Sequence, residues 1–275
     1  MMSSALIWLD LRDEASYLAG HFERALHLDK TYLQSCLNAL PSRDQPLGLI
    51  ASAEDLISIK QHLEDKGYQI KQTLTPDAIL QPGLVVKTGK NSFQAWQPNK
   101  LLQEQLPGLK TASHQALDLG CGGGRDAIYL ALHGWQVSAI DQQQRVLQCA
   151  QQLARIHGVK VNWVEADVHQ PHAIPNQPFD LIMMVRFLDR RLFSMMRNQC
   201  RVGGYVLVQT FVEGVETFGS PKNPNYILRF GELAKEFSEF DIIVDRIDRL
   251  NDGRPIASFL ARRKQGEKND YHDRQ

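Results

Sequence analysis

Two rhythms of apolar and polar residues divide the chain. Before residue 76, short apolar runs at 6–11 and 47–51 alternate with segments at 14–20, 30–39 and 53–66 whose apolar side chains return every three or four positions. The runs predict strands and the three-to-four spacing predicts helices, the last of them amphipathic and stopped by Gly67. Together they predict a small α/β unit. From residue 112 the alternation becomes strict, with strand 115–119, helix 125–133, strand 136–140, helix 142–157, strands 161–165 and 179–185, helix 190–201 and strand 205–211. Strands alternating with helices predict a parallel sheet covered on both faces, a doubly wound α/β fold. The rhythm then breaks. A helix at 231–237 is followed by a strand at 241–247 and, across Asn251-Asp252-Gly253, by a strand at 256–261. Asp-Gly between apolar runs is a hairpin signal, so the last strand of this seven-stranded sheet is expected to run antiparallel.

Proline and glycine gather at 41–48, 76–98 and 107–108, and the middle stretch reads as an interdomain linker. The expected division is a first domain over 1–75, a linker and cap segment over 76–111, a second domain over 112–265 and a polar tail over 266–275. Apolar residues make up 43% of the chain and charged residues 23%, enough apolar side chain for a real core. Lys plus Arg and Asp plus Glu both number 31, so no overall field steers the protein onto nucleic acid or anionic lipid, and neither is an expected partner. No stretch approaches the ~18 consecutive apolar residues of a membrane span, and the N-terminal apolar run lacks a signal peptide's basic flank. The four cysteines, Cys36, Cys121, Cys149 and Cys200, have no paired short spacing. That argues against a zinc site and a disulfide framework, so no metal is expected and a cytoplasmic location fits.

Candidate chemistry concentrates in Asp118-Leu119-Gly120-Cys121-Gly122-Gly123-Gly124-Arg125-Asp126, a glycine-rich turn between a strand and a helix. Glycine serves there because the turn needs positive φ and because a Cβ would hold a ligand off the backbone. The helix start adds free N–H groups. A nicotinamide-dinucleotide fingerprint would want a further glycine at position 125, which is Arg125, and it does not explain Asp118 before the turn. The Asp-x-Gly-x-Gly-x-Gly pattern instead resembles motif I of the class I S-adenosylmethionine-dependent methyltransferases. A ligand with an ammonium and a sulfonium finds a useful neighbour in a carboxylate at the strand end. Asp141 ends the next strand about 20 residues on, where a carboxylate can accept from both ribose hydroxyls. After the third strand comes Glu165-Ala166-Asp167-Val168, where in that class a carboxylate and an N–H meet the adenine. Any one of these acids alone reads as a strand-end or cap residue; their order is what carries the resemblance.

With its terminal hairpin, the second domain as a whole resembles the seven-stranded methyltransferase fold. The resemblance implies S-adenosylmethionine as cofactor, held by Asp118, Gly120, Cys121, Gly122 and Gly124 on the turn. Asp141, Gln142, Asp167, Val168 and Val185 complete the implied site at neighbouring strand ends. More narrowly, the run from Gly120 to Ala131 followed by Gly134-Trp135 is similar to the tellurite-resistance methyltransferase group, as is Asn223-Pro224-Asn225-Tyr226-Ile227-Leu228-Arg229 followed by Gly231-Glu232-Leu233. Phe230 stands where those relatives often have Pro. The first domain resembles a rhodanese: Asp10-Leu11-Arg12, then Gly20-His21-Phe22 and Ala25, match its Asp-x-Arg and Gly-His motif. An active rhodanese needs a cysteine at the start of the loop after the strand ending near Ile50, and this chain reads Ala51-Ser52-Ala53-Glu54-Asp55 there. Cys36, in the preceding helical pattern, reads as a small core residue, and the domain as incompetent for sulfur transfer.

Methyl transfer from a sulfonium is an in-line displacement in which alignment and exclusion of water count most. The expected function is transfer to a small soluble acceptor such as a thiol, a metalloid oxyanion or another small anion. Arg186, at the end of the strand carrying Met183-Met184-Val185, and Arg229, after a Pro-bearing insertion, are the substrate candidates. His169 and His172 are weaker candidates for a base. The alternatives are a resistance or regulatory protein that binds the cofactor without turnover, and a sulfurtransferase. The Asn/Asp-Pro-Pro-aromatic signature of nucleic-acid amino-methylating enzymes is absent after the fourth strand, which continues Val185-Arg186-Phe187-Leu188.

Overall fold

In the computed structural model, which describes residues 6–79, 87–89 and 93–264, the chain divides between Gln97 and Pro98 into two units. The first carries β1 (Ile7–Asp10), α1 (Glu14–Ala19), β2 (Ala25–His27), α2 (Lys30–Ser35), β3 (Leu47–Ile50), α3 (Ala53–Asp65), β4 (Ile70–Leu74) and α4 (Pro76–Ile79). Its sheet is parallel, in the order β2-β1-β3-β4. The central strands β1 and β3 are buried along their whole length, as continuous apolar runs require. Helix starts are set by side-chain caps: Asp13, Asp29 and Ser52 each accept an N–H from the first turn. The helix expected over 30–39 stops at Ser35. Strands β2 and β4 escape the sequence pattern because one has three residues and the other reads Ile-Lys-Gln-Thr-Leu at a sheet edge. Gly48 is required by packing, since a Cβ there would sit 2.5 Å from the Trp8 ring. Arg12 ties the two halves of the motif together, pairing with buried Asp10 at 2.7 Å and donating to the Gly20 carbonyl at 2.6 Å. Cys36 is buried as expected, but it is disulfide-bonded rather than a free core thiol. The expectation of uniformly reduced cysteines is corrected accordingly, and cysteine usage does not fix a redox compartment.

The second unit carries α5 (Lys100–Gln105), β5 (Gln115–Leu119), α6 (Arg125–Leu132), β6 (Gln136–Asp141), α7 (Gln144–Ile156), β7 (Asn162–Glu165), β8 (Phe179–Val185), α8 (Phe193–Gln199), β9 (Cys200–Phe211), α9 (Glu232–Glu236), β10 (Phe240–Arg249) and β11 (Pro255–Arg263). The seven strands lie in the order β10-β11-β9-β8-β5-β6-β7. Strands β5 to β9 are parallel, and β11 is antiparallel to both β9 and β10. Because β5 lies between β6 and β8, the chain leaves it in one direction and later fills the other side. That reversal opens a crevice at the carboxyl ends of β5 and β8, the usual ligand position in open α/β sheets. The helix expected over 190–201 is instead a 3-10 turn at Arg190–Leu192 and a short α8, and β9 begins at Cys200. Gly204 makes this early start possible: a Cβ there would lie 2.9 Å from the Arg201 carbonyl and 3.0 Å from that of Asp180. Among the described residues no helix is long and apolar enough to cross a membrane.

Helix α5 lies within the stretch expected as a linker, and a chain of polar groups, buried at Gln209 and Ser258, fastens it to the sheet. Asn99 Nδ2 donates to Gln209 Oε1 at 2.6 Å, Gln209 Nε2 donates to Ser258 Oγ at 2.7 Å, and Ser258 Oγ donates to Asp248 Oδ2 at 2.7 Å. Arg246 closes the circuit by donating to Asp248 and, at 2.6 Å, to Glu104 on α5. Gln209 is the middle link and is buried. Gln209→Leu would strand the Asn99 amide, and a buried polar group left unsatisfied costs about 1–3 kcal/mol. Urea denaturation should show a lower midpoint by that amount with an unchanged slope.

Candidate functional site

The glycine turn leaves the end of β5 and is stitched to β6, because the Gly120 and Cys121 N–H groups both donate to the Ile140 carbonyl, at 2.9 and 3.0 Å. Gly120, Gly122 and Gly124 all have positive φ, of 69°, 51° and 75°, yet their surroundings differ. A Cβ on Gly120 would meet the Phe187 ring at 2.6 Å, and one on Gly124 would meet Trp163 at 2.6 Å and Ala150 at 2.7 Å. These two glycines are closed by packing. Beside Gly122 a Cβ would find nothing within 4 Å, so this is where the backbone stands open to a ligand.

Three carboxylates gather around that opening. Asp118, the penultimate residue of β5, is 2% exposed and its side chain has no hydrogen bond among the described residues. Burial pushes its carboxyl well above the ordinary range, with the charges of Asp126 and Asp141 adding to the effect. Asp141, at the end of β6, accepts from the Gly122 N–H and the Gln143 N–H, both at 2.9 Å. Asp126, in the first turn of α6, accepts from the Asn99 N–H at 2.6 Å. Burial raises Asp126 from 3.8 to about 6 even though that hydrogen bond, Arg125 and Arg186 pull the other way. The Cys121 thiol, also pushed up by burial, is held away from the thiolate form a nucleophile needs.

The other expected residues fall at strand ends along the same edge of the sheet. Asp167 follows β7, exposed, and accepts the His169 N–H at 3.0 Å. Val168 packs against the large core cluster, Val185 packs on the opposite core, and Gln142 is exposed beside Asp141. His169 Nε2 lies 2.6 Å from Asp189 Oδ2; burial opposes ionisation of Asp189, but hydrogen bonds from Arg191 and His169 lower it to about 2. His172 is exposed. Among the described residues no group of His, Cys, Asp and Glu could hold a metal ion.

Arg186 follows β8 with φ 54°, and its guanidinium lies 5.3 Å from the centre of the Phe211 ring. Arg254, beyond the last hairpin turn, approaches the same ring at 4.9 Å. Arg254 is anchored by Asp252 at 2.8 Å and the Ser220 carbonyl at 3.2 Å, whereas the Arg186 guanidinium has no hydrogen bond among the described residues. Its pKa is lowered, first by burial and then by the charge of Arg254. The arginine brought to Arg186 is therefore Arg254, which the sequence reading passed over. Arg229 is exposed and its N–H donates to Glu232 at 2.8 Å. A second residue passed over is Arg190, which pairs with Glu232 and donates to the carbonyls of Asn225 and Ile227 at 3.1 and 2.8 Å. It clamps the loop that the Asn-Pro and Gly-Glu-Leu motif encodes.

Asp126 also yields a pH signature. A carboxyl raised by folding contributes stability that is full below its unfolded value of 3.8 and lost as pH rises through about 6. Wild type should therefore lose stability relative to Asp126→Asn over that window, with a constant difference above it. Thermal melts of both proteins across the range check this.

Residues 116–204 match the family described as "Methyltransferase domain". Over 93% of both chains, the protein is 26% identical to the Schizosaccharomyces pombe "Uncharacterized protein UNK4.09". It is 32% identical to a Rickettsia canadensis ubiquinone biosynthesis O-methyltransferase over 27% of this chain and 31% of that one. It is 27% identical to the Haemophilus influenzae "Probable S-adenosyl-L-methionine-dependent methyltransferase TehB" over 34% of this chain and 35% of that one. The match thus spans about a third of the length of these methyltransferases. The crystal structure of TehB from Haemophilus influenzae superposes with a TM-score of 0.49 at 20% identity, over 60% of this chain and 61% of that one.

Proposed function

We propose that this chain, whose second unit contains a class I S-adenosylmethionine-dependent methyltransferase domain, transfers the cofactor's methyl group to a small anionic acceptor. The observation that carries the reading is Asp118, a buried acid with no hydrogen-bond partner among the described residues, four positions before the open Gly122 backbone. An isolated buried carboxylate is costly, and a ligand ammonium relieves that cost. The site fits the cofactor in a second respect, since the Asp141 carboxylate at the rim suits a pair of ribose hydroxyls. When bound, S-adenosylmethionine supplies a methyl group already activated by its sulfonium. Asp118 and Asp141 then orient the donor, Asp167 and Val168 meet the adenine, and Phe187 covers Gly120.

The preference for an anion rests on Arg186 and Arg254. Two guanidiniums on one aromatic ring repel one another, and Arg186 is partly desolvated, its guanidinium without a hydrogen bond among the described residues. An oxyanion, carboxylate or thiolate acceptor satisfies both. Such a nucleophile needs positioning rather than a base, and Arg229 becomes a secondary candidate on the loop clamped by Arg190. The first unit is read as a rhodanese-like module without sulfur-transfer chemistry. Its parallel sheet and the Arg12 link between Asp10 and Gly20 support that reading, and Ser52, at the loop position where a persulfide-forming cysteine would sit, instead caps α3.

Calorimetric titration of S-adenosylmethionine into folded wild type should give saturable binding, and Asp141→Ala should bind about 10–100-fold more weakly, as loss of charge-assisted hydrogen bonds implies. Absence of binding to wild type would overturn the reading. Arg186→Ala should raise KM for an anionic acceptor about tenfold or more and leave cofactor affinity unchanged. Equal losses with neutral and anionic acceptors would refute the anion preference.

A further inference from the structure

Strand β10 forms one edge of the seven-stranded sheet and pairs only with β11 among the described strands. Exposed edges invite pairing with another chain, and many are blunted by charged side chains, proline or bulges; a charged edge accepts a partner only where the partner's charges are opposite. The register of β10 on β11 shifts between Ile242 and Val244, and from Val244 onward the strand runs regularly as Val244-Asp245-Arg246-Ile247-Asp248-Arg249. Asp245, Arg246 and Arg249 are exposed, and so is Ile247, at 46%. Proline is absent from this run, and its charges alternate in sign.

We infer that this edge is a self-association surface, with β10 of a second copy pairing antiparallel to it across a two-fold axis through Ile247. The axis relating two antiparallel strands of one sheet is perpendicular to the sheet and keeps each side chain on its own face. Residues opposite one another therefore have position numbers with an even sum, and the axis must pass through a residue. With Ile247 on the axis, Arg246 faces Asp248 of the second copy and Asp245 faces its Arg249. Symmetry repeats both pairs. Arg246 and Asp248 already touch within one chain, at 3.0 Å, so on that face the dimer closes a square of alternating charges. Asp245, Ile247 and Arg249 line the other face. Shifting the axis to Arg246 sets Asp245 against Ile247, and shifting it to Asp248 sets Arg249 against Ile247. Moving it to Asp245 sets Asp248 opposite Ile242, in the irregular stretch. Only one register pairs every charge of the run, and directly opposed unlike charges stabilise a strand pair while like charges oppose it.

The test uses the full chain in sedimentation equilibrium and light scattering. Wild type should be a concentration-dependent dimer. Arg249→Asp sets carboxylate against carboxylate at two places, Asp245→Arg sets guanidinium against guanidinium, and each variant alone should raise the dimer Kd at least tenfold. An equimolar mixture of the two variants should dimerise again, as should the double variant, because both restore unlike pairs. Recovery on mixing also shows that neither variant is merely misfolded. A monomeric wild type, or a wild-type dimer indifferent to both substitutions, would overturn the proposal. Cofactor titration, which tests the catalytic reading, is independent of either result.

Discussion

An acid held inside the protein, with no hydrogen-bond partner among the described residues, is the constraint around which the second unit is arranged. Asp118 sits near the end of β5, buried, with the charges of two more acids close by. Water would solvate it better than the protein does. The fold tolerates this because the surrounding frame is stiff: β5 lies between two parallel neighbours, and the turn that follows is pinned to β6 through Ile140. The resulting tension is local and points toward the crevice. A ligand bringing positive charge enters a place already organised for it, and little binding energy goes into rearranging protein groups.

The same logic runs through the supporting shell. Asn99 meets Asp126 through its backbone and Gln209 through its side chain, so one residue links the acid cluster to the polar chain crossing to β10. Arg186 is coupled to that chain as well, since its own N–H donates to the Gln209 carbonyl at 2.8 Å. The first turn of α6, the cap of the helix before β5 and the arginine at the end of β8 are therefore parts of one hydrogen-bonded assembly. Networks of this kind are stable only when every member is satisfied, which here leaves the ligand-facing groups as the exceptions.

How much of this was legible in the sequence follows from what a sequence encodes locally. The alternation of strands and helices, the hairpin at Asp252-Gly253 and the glycine turn are written in periodicity and turn chemistry, and the seven-stranded mixed sheet follows from them. Helix α5 was hidden because Lys100–Gln105 is short and sits in a stretch punctuated by prolines. The start of β9 was misplaced because Gly203 and Gly204 look like a break, when in fact Gly204 lets two backbones approach. Arg254 and Arg190 were passed over for a different reason: their partners lie far away in the chain, at Phe211 and at Glu232. Contacts of that kind leave no periodic trace. Cys36 was misjudged on the same ground, since burial is readable from a pattern and covalent partnership is not.

The glycine turn carries a consequence for how this protein can change over time. Gly124 is closed by the indole of Trp163 and the methyl of Ala150, residues that belong to a neighbouring strand and to the helix α7 beside it. A larger residue at 124 is excluded while Trp163 keeps its size, and a smaller residue at 163 opens a void that α7 would have to fill. Three positions in separate segments thus share one small volume. Lineages descended from this chain should alter them together or not at all, whereas Gly122, facing open space, answers only to what binds there.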